Sequence, residues 1–332
     1  MAETVLVLGS NSFSGSHFVD GALQQGLNVI GVSRSAEPDI AFLPYRWSVQ
    51  HKRASFHFYQ ADLNHDLDKI MLLIHQHKPA YVVNFAAQAM VAESWAYPEH
   101  WMMTNVVSTI KFHDQLRRCD FLKKYVHIST PEVYGSCEGL VQENTNYHPS
   151  TPYAVSRAAC DLSLMSFVKN YQFPVVFTRA ANVYGPGQQL YRIIPKTILS
   201  IKLGKKLPLH GGGKSVRSFI HIRDVVDGTL KAMLQAKAGE IFHLSTRENI
   251  AIVDLVRLLC KKLNVNFDKT VEIVGERAGK DAAYLLDSAR AHQQLKWQPK
   301  VSLDTGVEET VAWVEERFEK LKQMPLNYIH KA

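Results

Sequence analysis

The stretch Thr4-Val-Leu-Val-Leu-Gly-Ser-Asn-Ser-Phe-Ser-Gly15 decides how this chain is read. Val5 to Leu8 is a short apolar run, too short for a buried helix and suited to a strand covered on both faces. A helical pattern follows at once, with Phe18, Val19, Ala22 and Leu23 on one side. Gly9 permits a sharp turn where the strand ends. Gly15 lets the helix approach the sheet and leaves its first amides for a pyrophosphate, which makes Asn11, Ser12 and Phe13 candidate contacts of a dinucleotide. The spacing Gly9-x-x-Ser12-x-x-Gly15 carries Ser where the commonest dinucleotide turn has Gly. Alone it fits an ordinary strand–helix junction equally well, so the surrounding chain has to decide.

Outward from this turn, strands and helices alternate. Apolar β-rich runs lie at 28–32, 55–60, 81–85, 125–129 and 175–179, and helical patterns at 67–77, 106–118 and 153–171. Such alternation specifies an α/β fold, a Rossmann-type doubly wound parallel sheet, with ligands at the carboxyl ends of the strands. After Tyr184 the rhythm changes at Gly185-Pro186-Gly187. Ile220 and 241–244 read as strands returning to the sheet, and 254–263 and 305–322 as amphipathic helices. The expected organisation is a dinucleotide-binding domain over 1–184 with return segments at about 219–245, and a smaller mixed C-terminal substrate lobe from 185–218 and 246–332.

Bulk properties narrow the function. The 332 residues are 46% hydrophobic and 21% charged, as in ordinary water-soluble globular proteins. No apolar run reaches membrane-spanning length, and the first residues enter a strand rather than a signal peptide. The cysteines, Cys119, Cys137, Cys160 and Cys260, are scattered. That spacing argues against a zinc site and for a reducing, cytoplasmic compartment. The formal charge of +7 is dispersed rather than clustered with aromatics, so it suits an anionic small ligand better than nucleic acid.

The residues following each strand carry the chemistry. Ser33-Arg34-Ser35 stands where an NAD site usually has a carboxylate for the ribose hydroxyls; an Arg flanked by hydroxyls suits a 2′-phosphate and favours NADP over NAD. Asp62-Leu63 offers an acceptor for an adenine amino group, though Asp there is also a routine helix cap. Phe85-Ala86-Ala87-Gln88 is small enough for close backbone approach. Tyr153 and Arg157 are four apart on one helix, so the cation favours a phenolate and prepares Tyr153 as a general base.

Together these pieces resemble the extended short-chain dehydrogenase/reductases of the nucleotide-sugar epimerase/dehydratase family. The resemblance spans the chain in order. It runs through the Gly9/Gly15 turn, Asp62-Leu63, 84–88, Thr104-Asn105-Val106, 129–135, 152–157, 182–186, 211–217, 221–224, 277–284 and 295–299. It implies that Tyr153 takes a proton from a sugar hydroxyl while nicotinamide takes the hydride, with Thr130 bonded to the same hydroxyl. It puts Asn105 at the cofactor, Gln88 at cofactor and sugar, Asn182 at the sugar or its phosphate, Leu207 near the base, and Arg217 and Arg277 on the diphosphate. It also implies a homodimer paired through the helices at 106–118 and 153–171.

Two departures from the family pattern matter. Arg157 replaces a Lys that bonds the nicotinamide ribose. Pro131 replaces the Asp of the Thr-Asp-Glu set of 4,6-dehydratases, while Glu132 is kept. A 4-epimerase does not need that carboxylate; elimination across C5–C6 does, to remove the C5 proton. The resemblance is therefore closest to the NDP-hexose 4,6-dehydratases. The acid lost at Pro131 could be replaced by water, Thr130 or Glu132; Cys137 and Glu93 read first as structural. A 4-epimerase, a 5,6-dehydratase and a uronate decarboxylase are alternatives within the family, the last opposed by the absence of an obvious cation beside Gly185-Pro186-Gly187. A non-catalytic NADP-binding protein is the alternative of another class, against which the retained Tyr153, Thr130 and Glu132 argue. The nucleotide stays open among UDP, dTDP, GDP and CDP, and no metal is expected.

Overall fold

The computed structural model describes residues 2–47, 55–137, 139–275 and 285–331. In chain order the strands begin with β1 (Thr4–Leu8), β2 (Asn28–Ser33), β3 (Phe56–Gln60), β4 (Tyr81–Asn84) and β5 (Lys124–Ile128). They continue with β6 (Leu140–Val141), β7 (Val175–Ala180), β8 (Asn182–Tyr184), β9 (Leu207–His210) and β10 (Val216–His221). The last are β11 (Ile241–Leu244), β12 (Asn249–Ala251), β13 (Val271–Val274) and β14 (Leu285–Leu286). The helices are α1 (Phe13–Gln24), α2 (Leu67–His77), α3 (Pro98–Met102), α4 (Thr109–Leu116), α5 (Pro152–Tyr171) and α6 (Ile193–Lys202). After them come α7 (Ile222–Gln235), α8 (Ile252–Lys262), α9 (Phe267–Thr270), α10 (Ala289–Leu295), α11 (Leu303–Glu316) and α12 (Phe318–Leu321).

Seven strands form one parallel sheet in the order β11-β7-β5-β4-β1-β2-β3. The order reverses direction at β1, so a crevice opens between the carboxyl ends of β1 and β4. Both faces are covered, which is why β1 and β4 read as continuous apolar runs. On one face Phe18, Val19 and Leu23 of α1 pack with Val226, Leu230 and Met233 of α7. On the other, Ile70 and Ile74 of α2 meet Phe112 and Leu116 of α4 and Leu164 of α5. Truncating a side chain as enclosed as Phe18 to Ala costs about 3–5 kcal/mol.

Of the remaining strands, β8, β9, β10, β12 and β13 build the second lobe, and β6 and β14 a small sheet of their own. β10 pairs in parallel with β8 and antiparallel with β12, β9 with β13, and β6 with β14. Ile194, Ile198, Leu255, Leu259, Val307 and Trp313 form a separate core there. Segment 241–244 joins the main sheet as β11, as expected. Ile220 does not: it lies in β10, and α7, which begins right after His221, covers the sheet instead. The helix expected over 106–118 is α4, entered from α3 through a π-helical stretch, Met103–Ser108. Expected helix 305–322 divides at Arg317 into α11 and α12. No helix among the described residues is long and apolar enough to cross a membrane.

Candidate active site

The turn after β1 is built for close approach. Gly9 has φ +75°, and a Cβ there would lie 2.7 Å from the Ala86 amide nitrogen, so only glycine lets the loops after β1 and β4 touch. A Cβ on Gly15 would strike the Gly9 carbonyl. The Gly15 amide is not available to a ligand, contrary to expectation: it donates to Ser12 Oγ at 3.0 Å, and Ser12 is the N-cap of α1. Ser12 substitutes a cap for a third glycine. The amides of Phe13 and Ser14 stay unpaired among the described residues and face the helix N-terminal end. This glycine-lined cradle fits a pyrophosphate.

Ser33 differs from expectation. Its hydroxyl accepts from the Asn11 amide at 3.0 Å and is buried; it ties the turn to β2. Asn11 likewise spends its side-chain amide on the Ser35 carbonyl, 3.0 Å away. Arg34 remains at the strand end, donating to the Lys331 carbonyl at 3.3 Å. Asp62 accepts from the Asn64 amide with Oδ1 at 2.7 Å, and Leu63 packs into the core, so this loop is braced as well as placed.

The loop after β4 is pinned by Asn105. Its Oδ1 accepts from the Gln88 amide at 2.9 Å, and its Nδ2 donates to the Gln88 carbonyl and to Ser156 Oγ. Asn105 is fully buried. It therefore positions Gln88 rather than touching a ligand, and the π-helical stretch is what turns it inward. Phe85 packs at a tilt against Phe18, ring centroids 5.5 Å apart, leaving the small Ala86 and Ala87 along the crevice.

Tyr153 sits in the first turn of α5, after Pro152 and the cap from Thr151 to the Ala154 amide. The helix dipole there favours a phenolate, as do a hydrogen bond with Thr130 and the charges of Arg157 and Arg192. Burial and the nearby Glu132 carboxylate oppose them and win: the Tyr153 phenol is pushed up to about 12. Arg157 by itself does not prepare the phenolate, a correction to the expectation from spacing. Thr130 caps a tight turn over Pro131–Tyr134, accepting from the Glu132 amide at 3.4 Å, which holds Thr130 and Glu132 on the same rim as Tyr153.

Arg157 faces the sheet. It donates to the Ile128 carbonyl and to His127 Nε2, the latter at 3.1 Å. His127 Nε2 lies 3.3 Å from Asp161 Oδ1, and Asp161 Oδ2 takes Arg179 at 2.9 Å and Ser129 Oγ at 2.5 Å. All of these are buried. A buried guanidinium needs acceptors for its donors, and the end of β5 provides them. Burial raises the Asp161 carboxyl, but His127, Arg179 and Arg157 outweigh it and hold the group well below its usual range. Burial and Arg157 keep His127 below its ordinary value. His113, His127 and Cys160 bring their donor atoms within 4.8 Å of one another. The adjacent guanidinium and the bond from His113 Nε2 to Tyr125, 2.9 Å, mark this as a polar core rather than a cation site.

On the second lobe, Asn182 donates to the Ser218 carbonyl at 3.1 Å and Arg217 to the Val216 carbonyl at 2.9 Å. Both stand on paired strands, β8 and β10. Leu207 does not line the cleft: at 1% exposure it packs with Leu209, Val256 and Val271. Arg277 lies outside the described residues. Arg192, five residues beyond Gly187 and at the start of α6, acts on Tyr153. It is the cation that reading the sequence beside Gly185-Pro186-Gly187 missed.

The model of the GDP-mannose 4,6 dehydratase family matches residues 6–310. The chain belongs to this family. It is 31% identical over 329 residues to the human dTDP-D-glucose 4,6-dehydratase, covering 97% of this chain and 93% of that one. In structure it resembles a dTDP-glucose 4,6-dehydratase from Streptomyces venezuelae solved with NAD bound, with TM-score 0.86, 29% identity and coverage of 95% and 98%. It also resembles the UDP-glucose 4-epimerase of Thermotoga maritima solved with UDP-glucose, with TM-score 0.84, 28% identity and coverage of 95% and 99%. Dehydratase and epimerase thus share this fold, so the fold alone does not separate them.

For a dehydratase-family chain, the features that sequence reading missed are of one kind. Arg192, His127, Asp161 and Arg179 are charged or polar groups whose partners lie far along the chain. No local pattern marks them. A signal existed only for Arg192, as the first cation after the glycine break.

Proposed function

We infer that the protein is an NDP-hexose 4,6-dehydratase working with a tightly held NAD(P). The observation that carries this reading is Glu132 on one rim with Tyr153 and Thr130, close enough to raise the phenol. A carboxylate there serves elimination and is superfluous to epimerisation.

The cradle at Gly9 with the Phe13 and Ser14 amides would hold the pyrophosphate, and the 86–88 loop would lie along the cofactor. Bound nicotinamide supplies a hydride acceptor for C4 and, afterwards, a hydride donor for C6. Tyr153 takes the C4 hydroxyl proton, with Thr130 holding that oxygen. Glu132 takes the C5 proton, which is acidic once C4 is a ketone. Pro131 offers no acid, so Glu132 hands its proton to the departing C6 hydroxyl, which leaves as water. The proton held by Tyr153 replaces the one lost from C5. The sum is loss of one water, no net redox change, and an NDP-4-keto-6-deoxyhexose.

NADP is placed above NAD because Arg34, not a carboxylate, follows β2; Ser33 no longer supports that preference. Asn182, Arg217, Arg192 and Arg277 are assigned to the sugar diphosphate. The division into a cofactor domain and a substrate lobe is supported by a lobe core separate from the two that flank the main sheet. Homodimer formation is proposed through α5 and α4 with the π-helical stretch before it, where Met103 and Val107 of that stretch and Val155 and Leu162 of α5 are exposed; sedimentation at several concentrations tests it.

Incubation with UDP-, dTDP-, GDP- and CDP-hexoses, including N-acetyl and uronate forms, followed by mass spectrometry, tests the activity. Loss of one water from one substrate supports the reading. Unchanged mass with altered C4 stereochemistry would favour an epimerase, to which the absent acid at Pro131 also points.

A further inference from the structure

The segment 324–331 forms a strap with no helix or strand, bending at Met324, Leu326 and Asn327. Met324, Leu326, Tyr328 and His330 are half-buried, and Pro325, Asn327, Ile329 and Lys331 between them are exposed. Every second side chain is therefore packed against the body of the molecule. Met324 and Leu326 rest on the second lobe's core. Tyr328 meets Tyr191 edge-on at 5.3 Å, next to Arg192. His330 lies nearly parallel to Tyr97, His100 and Trp101, with centroids 5.0–5.3 Å apart, and shares a hydrogen bond of 2.8 Å with His100 Nδ1. The Lys331 carbonyl then accepts from Gln88 Nε2 at 2.7 Å and from Arg34 at 3.3 Å. Lys331 Nζ reaches Ser35 Oγ at 3.3 Å.

These last partners come from the loops after β2 and β4, the two sides of the crevice that receives the cofactor. One peptide carbonyl ties them together across its mouth. The strap's anchors, by contrast, lie on the second lobe and on α3. We propose that segment 324–331 is the outer wall of the cofactor site, anchored by Tyr328 and His330, and that it sets how fast the cofactor leaves. Nothing in the hydride and proton steps needs these side chains. What needs them is retention: a cofactor that is reduced and reoxidised within one turnover has to stay bound between the two steps.

This inference rests on reading the crevice as an NAD(P) site, and the test separates the two. The full-length chain and its Tyr328→Ala/His330→Ala variant are loaded with NAD or NADP, and release is followed by stopped-flow fluorescence against excess competitor. Hydrogen exchange of 324–331 is measured in wild type with and without cofactor. Expected is slower exchange of the strap when cofactor is bound, and release faster by about tenfold in the variant, which corresponds to about 1.4 kcal/mol. The turnover number at saturating cofactor should stay within about twofold, less than half of that free-energy change. An unchanged release rate in a variant that binds cofactor would overturn the strap alone, as would wild-type strap exchange that ignores the cofactor. Failure of wild type to bind either cofactor would overturn the site reading and the strap with it.

Discussion

The turn after β1 and the charged cluster between β5 and α5 each fix one wall of the same cleft, by opposite means. The turn does it by omission. Gly9 and Gly15 remove side chains so that backbone meets backbone, with one serine as a cap. The cluster does it by accumulation. Arg157, His127, Asp161, Arg179 and Ser129 bury several charged or polar groups that stabilise one another. A backbone cradle tolerates little substitution yet stores no charge. A buried ionic cluster holds its geometry only while every partner remains.

The difference ranks the expected damage. Asp161→Asn should be the worst change, because it leaves the buried Arg179 guanidinium without its carboxylate partner and removes the charge that faces His127. We expect a loss of about 3–5 kcal/mol, read by urea unfolding. A loss under about 1 kcal/mol would mean the cluster is not load-sharing in this way. The same carboxyl has its pKa lowered, so its stabilisation is present above the unfolded-state value near 4 and disappears as pH falls below it. Next comes Gly9→Ala, where positive φ and the Ala86 amide both oppose a methyl group. About 2–3 kcal/mol of stability should go, together with cofactor binding measured by calorimetry. Retained affinity would show that the cradle is not where the pyrophosphate sits.

Arg157→Lys should do less. The charge stays, but the ammonium sits on a different stem and lacks the planar guanidinium that brings Nη2 to both His127 and the Ile128 carbonyl, so stability should fall by about 1–2 kcal/mol. Turnover should change by less than about tenfold; abolished turnover would return Arg157 to direct contact with the reacting atoms. The smallest effect belongs to the strap. His330 faces Tyr97, His100, Trp101, Tyr328, Arg34, Glu93 and Glu99; burial, His100 and Arg34 hold its pKa below 6.5 against the two carboxylates. The closed strap is thus fully stabilised above about pH 6.5 and weakened as pH falls below it. Cofactor release should speed up a few-fold between pH 7.5 and pH 5.5, and a His330→Phe variant should lose that dependence. A His330→Phe variant that kept the full dependence would contradict the assignment.

The same contrast explains what could be read without a structure. The sheet was legible because strand burial and helix periodicity are local: β1, α2 and the β4–α4 region lie within a few residues of where the pattern puts them. Gly9 was legible because glycine announces a backbone requirement. Arg157 was legible as a charge four residues from Tyr153 but not as a side chain turned toward β5, since its acceptors, His127 and the Ile128 carbonyl, lie some thirty residues back in sequence. Leu207 was misplaced for a related reason: its burial depends on pairing with Val271 of β13, far along the chain. Ser33 was assigned to a phosphate and serves the turn, because a hydroxyl does not declare its partner. The strap was invisible, its packing depending on rings from α3, on Tyr191 and on the second lobe's core.

The most direct test is one experiment on Glu132→Gln: rapid mixing with the accepted NDP-hexose and oxidised cofactor, following cofactor absorbance and product mass together across pH. The variant should form reduced cofactor while releasing no dehydrated product. Its C4 oxidation should also reach its alkaline plateau at lower pH than in wild type, because removing the carboxylate lowers the Tyr153 phenol from about 12. Dehydrated product formed at the wild-type rate, or no cofactor reduction in a folded variant, would contradict the assignment of Tyr153 to C4 and Glu132 to C5.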